Sequence, residues 1–222
     1  MTDEQIFDII RSDGVWGRVP WKLKIGSWVS MATFTQFAQL EFKLLDWLTS
    51  TFHSDFLDLA MPYVSSLGNG GAIWILIAAV LLIKKETRKT ALSVILSLLF
   101  SVFVANIILK PWIARLRPYE LNPSIKLLIP PPSGFSFPSG HTQSSFAAAS
   151  VLRRNYKWLG AAAMGLAILI GFSRLYLSVH FITDVVGGAV IGYCLGLIAN
   201  GIISSMRYRY NAKRRKQKKR PS

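Results

Sequence analysis

Apolar residues fill four long runs, at positions 67–83, 90–109, 158–176 and 185–206, each 17 to 22 residues long. About 20 such residues in a helix cross the roughly 30 Å hydrocarbon core of a bilayer. Each run therefore predicts a membrane-spanning helix. A fifth stretch, 139–152, is shorter and begins with Ser139, Gly140 and His141. It predicts a helix whose first turn sits at an interface or lines a polar cavity.

The pattern upstream is different. In "QLEFKLLDWLTSTFHSDFLDLAMPYVSSLG" apolar residues recur at helical spacing, but Glu41, Lys43, Asp46, Asp55 and Asp58 interrupt them. Such a segment predicts an amphipathic helix lying at the outer interface rather than a span. Residues 26–40 are mildly apolar and form a candidate sixth span. The expected fold is all-α, an integral membrane bundle of five transmembrane helices, or six with that candidate, preceded by an interfacial helix. The expected units are an N-terminal segment (1–66), a membrane-embedded domain (67–206) and a basic tail (207–222).

Composition adds to this picture. Of 222 residues, 51% are hydrophobic and the formal net charge is +15, with a mean hydropathy of +0.36. Nine Lys or Arg follow the last apolar run, in "MRYRYNAKRRKQKKR". Basic residues resist translocation and collect in cytoplasmic loops. The tail, "KKETRK" (84–89) and "RRNYK" (153–157) are thus expected inside, and segments 110–137 and 178–183 outside. A tail of this kind faces anionic lipid. No nucleic-acid fold accompanies it, and no nucleic-acid partner is expected. The opening MTDEQIFDII lacks the basic-then-apolar layout of a cleavable signal. Cys194 is the single cysteine, expected to pack as a small residue, and no Cys/His cluster suggests zinc.

Polar chemistry gathers at the outer ends of the runs. Lys110 closes the second, with Arg115, Arg117 and Pro118 behind it. Ser139, Gly140 and His141 open the short stretch, Ser173 and Arg174 close the fourth span, and His180 and Asp184 open the fifth. Ionisable groups at membrane depth are costly and mark functional sites. Lys110, Arg117 and Arg174 can neutralise a phosphate dianion and the charge that spreads over its oxygens during transfer. A helix starting at Ser-Gly-His aims free amides and its positive dipole end at such an anion. His141 stands beside that cradle, placed to donate a proton. His180 and Asp184, four apart, share a helical face. A carboxylate bonded to one imidazole nitrogen frees the other to attack. With no carboxylate cluster, no metal and no other cofactor is expected.

Taken singly, each of these residues has a plainer reading: Lys110 or Arg117 as an interface residue reaching for water, His141 as a helix start, His180 and Asp184 as a cap. Arg115 is set aside as a headgroup or loop contact. His53 belongs to no constellation and reads as a surface residue. Trp74, Trp112 and Trp158 fall near span ends, where interfacial anchoring explains them. The apolar residues of loop 111–137, Leu127, Leu128, Ile129, Phe135 and Phe137, would rest on lipid. Small residues such as Ala147, Ala148, Ala149, Gly187 and Gly188 let helices pack closely.

Together, "KPWIARLRP", "PSGH" and "SRLYLSVHFITD" resemble the three signature motifs of the phosphatidic acid phosphatase type 2 family of membrane lipid phosphatases. The order and spacing match throughout, and "LGNGGAIW" is similar to the same region of small bacterial members. The resemblance implies that His180 attacks phosphorus, with Asp184 orienting it. His141 would protonate the leaving group and then help activate water. Lys110, Arg117, Arg174, Ser139 and the Gly140 amide would hold phosphate oxygens, without metal. It also implies a lipid phosphate substrate and a plasma-membrane location with an extracytoplasmic site. Undecaprenyl diphosphate is favoured as substrate, ahead of phosphatidate or phosphatidylglycerophosphate. The competing classes are a non-catalytic lipid-phosphate binding or transport protein and a vanadate-dependent peroxidase. The pattern does not address the oligomeric state.

Overall fold

The computed structural model describes residues 31–218, and among them every regular element is helical. We number the main helices α1 (Met31–Phe52), α2 (Asp55–Ser66), α3 (Ala72–Ile83), α4 (Arg88–Val102), α5 (Gly140–Asn155), α6 (Lys157–Tyr176) and α7 (Ile182–Lys218). Three helical stretches have the length and hydropathy to cross a bilayer: Arg88–Leu121, Lys157–Tyr176 and Ile182–Ala212. The bent pair Asp55–Leu67 and Asn69–Ile83 makes a fourth if it acts as one span.

Two expected spans look different in the structure. The run 67–83 is not one helix, because a 3-10 turn, Asn69–Gly71, separates α2 from α3 and their axes differ by 47°. Gly70 (φ 57°) and Gly71 (φ 74°) occupy the left-handed region that only glycine enters without strain. The stretch 139–152 does form a helix, α5, but 16 residues reach roughly 24 Å at 1.5 Å per residue. That is short of the hydrocarbon core. Instead of spanning in contact with lipid, α5 is the central strut, packed on α4, α6 and α7.

Small residues make this packing possible. Gly188, Gly192 and Gly196 line the α7 face against α5, and a methyl group placed on Gly192 would lie 2.1 Å from the Gln143 carbonyl oxygen. Between membrane helices close backbone approach, rather than water exclusion, supplies the cohesion. On α4 the buried Thr90, Ser93 and Ser97 recur every three or four residues beside Ala91, Val94 and Leu98. Ser93 and Ser97 return their hydroxyl protons to carbonyls of their own helix, Lys89 and Val94.

The N-terminal segment packs on the bundle. It is two helices, and α1 turns a stripe of Phe42, Leu45 and Leu48 into the bundle, against Leu175 and partly buried Phe172, Ile182 and Val185. Glu41, one of the charges that argue against a span, is 3% exposed. Leu40, Leu44 and Trp47 remain on the outward face. Of the candidate sixth span, 26–30 lie outside the described residues and the rest begin α1.

Other details also differ. Trp74 is 0% exposed and donates from Nε1 to Ser145 Oγ at 2.9 Å, so it is a core residue and not an interfacial anchor. Trp112 and Trp158 are exposed, as anchoring requires. Cys194 is exposed on α7 instead of packed. The proline-rich loop folds back on the bundle: Leu127 and Ile129 cover Met61, Tyr176, Leu177 and Val179. The Phe137 ring lies against Gly187. The basic tail is a composition change inside α7, which runs unbroken to Lys218.

Candidate active site

The motif residues sit where four segments meet at one end of the bundle. Beyond α4 the helix continues as a π-helical stretch, Phe103–Leu109, and one further α turn, Lys110–Ile113. Such widened turns often occur at functional sites. Here the widening ends at Lys110. Ala114, at φ 48°, stops the helix and turns the chain toward Arg117. From α5 come Gly140 and His141, with Ser139 as its N-cap. Arg174 closes α6, while His180 and Asp184 flank the start of α7.

His180 is 2% exposed. Its Nε2 lies 3.2 Å from Arg117 Nη1. Its Nδ1 lies 3.6 Å from Asp184 Oδ2 and 3.3 Å from Ser136 Oγ. The expected tight His–Asp bond is therefore a three-way arrangement, in which the Ser136 hydroxyl donates to Asp184 Oδ2 at 2.5 Å and the Phe181 amide donates to the same oxygen at 2.9 Å. Burial holds the His180 imidazole well below its ordinary value, at about 4. The Asp184 contact opposes that shift, and the Arg117 and Arg174 charges add to it. At neutral pH the ring is thus an uncharged base with a nitrogen lone pair to offer.

The three cations are held in different ways. Arg117 is buried and clamped by carbonyls: Nε donates to Gly134 O (2.9 Å), Nη1 to Val179 O (2.9 Å) and Nη2 to Ser133 O (3.2 Å). Arg174 is 2% exposed. Its Nη1 donates to Ser65 Oγ, while its buried Nε has no partner among the described residues. Lys110 lies close by, since a methyl group on Gly140 would be 4.0 Å from Lys110 Nζ. No side chain caps the start of α5, and the amides of its first turn are free of intrahelical bonds, as at any helix start. His141 Nε2 meets Asn69 Oδ1 at 2.8 Å across the glycine turn. Gly68 leaves room for that ring, because a methyl group there would fall 2.8 Å from His141 Cδ2. Ser139 Oγ accepts from Thr142 Oγ1 at 2.9 Å, and the Ser139 amide donates to the Asp184 carbonyl at 3.1 Å.

All eight motif residues are thus brought together. Sequence reasoning missed Ser136, Asn69 and Ser65, and it set Arg115 aside. Arg115 turns into the bundle: its Nη1 donates to Asp184 Oδ1 at 2.7 Å and its Nη2 pairs with Glu41. The available signals were proximity to the motifs, for Ser136 and Arg115, and a lone Glu in an apolar stripe. His53 is a surface residue, 3.5 Å from Asp58.

Comparison with known proteins gives the same direction. Residues 90–208 match the family model of the PAP2 superfamily. The undecaprenyl-diphosphatase of Sulfolobus acidocaldarius is 32% identical over 146 residues, covering 65% of this chain and 70% of that protein. The crystal structure of Aquifex aeolicus LpxE superposes with a TM-score of 0.63 at 31% identity, covering 72% of this chain and 94% of that one. The transmembrane PAP2-type phosphatidylglycerolphosphate phosphatase of Bacillus subtilis gives the same TM-score, 0.63, at 26% identity, over 78% of this chain and 90% of that one.

Proposed function

The chain belongs to the PAP2 superfamily and is a membrane lipid phosphate hydrolase; from that premise we propose that it removes the terminal phosphate of undecaprenyl diphosphate through a phosphohistidine on His180. His180 Nε2 attacks the terminal phosphorus. A nitrogen–phosphorus bond forms as the bond to the bridging oxygen breaks, and His141 gives that oxygen its proton. Undecaprenyl phosphate leaves. Water then attacks the phosphohistidine, His141 takes the water proton, and inorganic phosphate departs as His180 is regenerated. Lys110, Arg174 and the Gly140 amide hold the phosphoryl oxygens, with Arg117 as a fixed positive charge beside Nε2 and the buried Ser139 as N-cap of the cradle helix.

One observation carries this reading: a deeply buried guanidinium, Arg174, keeps an unpartnered donor next to an uncharged, buried histidine. A buried donor without a partner is expensive, and a phosphoryl oxygen would repay it with a charge-assisted bond. The undecaprenyl choice rests on the Sulfolobus relative and on the loop 114–137, which folds onto the bundle and, among the described residues, leaves no domain to read a large headgroup. Phosphatidylglycerophosphate is the second reading, supported by the Bacillus structure. The site opens on the extracytoplasmic face. Exposed Lys84, Lys85, Arg153, Arg154, Arg207 and Arg209 lie toward the opposite helix ends, where the preference of basic residues for the cytoplasm places them.

Phosphate release from undecaprenyl diphosphate, phosphatidate and phosphatidylglycerophosphate in EDTA, by wild type and His180→Ala, tests the proposal. The expected result is metal-independent release, fastest on undecaprenyl diphosphate and lower by on the order of 10⁴-fold in the variant. Full activity in His180→Ala would exclude the phosphohistidine.

A further inference from the structure

The two oxygens of Asp184 are used differently. Oδ2 faces His180 and Ser136, as described above. Oδ1 accepts from Arg115 Nη1 at 2.7 Å. Arg115 is itself held from three sides. Nη1 also donates to Thr183 Oγ1 at 2.7 Å, Nη2 pairs with the Glu41 carboxylate, and the guanidinium lies over the Phe181 ring at 4.3 Å. Thr183 Oγ1 in turn donates to Glu41 Oε1 at 2.5 Å, closing a ring of Glu41, Arg115 and Thr183. The Phe42 ring meets Phe181 edge-on at 5.2 Å, next to Glu41 on α1.

We propose that Arg115 and Glu41 are a positioning pair for the nucleophile, which makes α1 a working part of the active site although it lies outside the three motifs and outside matched residues 90–208. A carboxylate gripped at one oxygen by a fixed guanidinium cannot rotate, so its other oxygen stays on the His180 side. Arg115 by itself could swing toward the substrate phosphate. Glu41 prevents this by pairing with the second guanidinium nitrogen, and it also balances the Arg115 charge, so the negative charge of Asp184 is left to act on His180. Glu41 is the only carboxylate on α1 that is buried among the described residues, while Asp46 one turn further faces out. A solubilising charge would sit on the outer face. This one points into the bundle because its partner is there.

The inference rests on the reading of His180 as nucleophile, so wild type and His180→Ala accompany every assay. If wild type releases no phosphate from undecaprenyl diphosphate or phosphatidylglycerophosphate in detergent micelles, that reading fails on its own. The variants are Arg115→Ala, Arg115→Lys, Glu41→Gln and the double variant Arg115→Ala/Glu41→Gln, with kcat and KM normalised to folded, monodisperse protein. Positioning predicts that kcat falls about 30-fold in Arg115→Ala with KM within about twofold of wild type, and that Arg115→Lys regains part of the loss. Glu41→Gln, nearly isosteric, lowers kcat about fivefold. The double variant is no slower than Arg115→Ala, because Glu41 acts only through Arg115. The proposal is overturned if folded variants keep wild-type kcat and lose only thermal stability. It is equally overturned if KM rises while kcat holds, which would make Arg115 a headgroup contact, or if the two losses multiply.

Discussion

Two charged clusters share Asp184, and they differ in what their donors do. In the buttress of Arg115, Glu41 and Thr183, the Arg115 Nη1 and Nη2 and the Thr183 hydroxyl meet protein acceptors: Arg115 with Glu41, Thr183 and Asp184, and Thr183 with Glu41. In the cradle, Arg174 Nε has no partner and the first amides of α5 carry no cap. Both lie at the same end of the bundle and both contain arginine, so burial of charge alone does not identify a binding site. Spent donors fix a geometry, whereas unspent donors wait for an anion. Arg117 stands between the two, with a formal charge next to His180 but its nitrogens committed to loop carbonyls.

The sharpest way to break that comparison is Arg174→Met. Removing a buried, unspent donor and its charge should lower kcat/KM by on the order of 10³-fold, measured as phosphate release from undecaprenyl diphosphate. Stability should change little or rise, because the variant also removes a buried charge whose Nε is unpaired. A variant that keeps its activity but unfolds earlier would make Arg174 a structural group and take it out of the cradle.

A smaller effect should appear with pH. His180 attacks only as the free base, and its pKa is held at about 4. Protonation below that value removes the lone pair, so titration of His180 puts no acid limb on kcat/KM between pH 7 and about 5. The acid, His141, is also held low, at about 3, by burial and by the Arg174, His180, Lys110 and Arg117 charges, so over that range the rate should rise as pH falls and its protonated fraction grows. An acid limb near the ordinary histidine value, about 6.5, would mean that solvent reaches the ring and that the cradle is not closed around it.

How far the sequence carries this comparison is instructive. The motif residues of the cradle were legible, because Lys110, Arg117, Ser139, Gly140, His141, Arg174, His180 and Asp184 sit at fixed spacings around helix ends, whereas their partners Ser136, Asn69 and Ser65 belong to no motif. Helix ends are readable from where apolar runs stop. The buttress was not, because Glu41 and Arg115 are 74 residues apart and meet only when α1 folds onto α6 and α7. Glu41 is one of five charges that argue against a span, which is the right inference for charges without partners. Its partner was invisible from local pattern. Trp74 was misplaced for a related reason: position near a run's end suggested the interface, but its indole nitrogen finds Ser145 inside the bundle. The shortness of α5 was visible, yet its central place was not, since that depends on Gly188, Gly192 and Gly196 admitting its backbone.

The smallest expected effect tests Arg117 as the intermediate case. The Glu120 carboxylate accepts the Arg117 backbone amide at 2.6 Å and so caps the start of the one-turn helix Pro118–Leu121. That contact looks like part of the site, since it touches a motif residue directly. Yet it holds the backbone amide, while the guanidinium is fixed separately by the carbonyls of Gly134, Val179 and Ser133. Loss of the cap in Glu120→Ala should cost about 1 kcal/mol of stability, seen as a slightly lower midpoint of thermal unfolding in detergent. The kcat should stay within about twofold of wild type, because redundant contacts keep the guanidinium in place. A tenfold fall in kcat without unfolding would show that Arg117 is held by its backbone turn rather than by the carbonyl clamp. Arg117 would then belong with the adjustable cradle and not with the fixed geometry beside it.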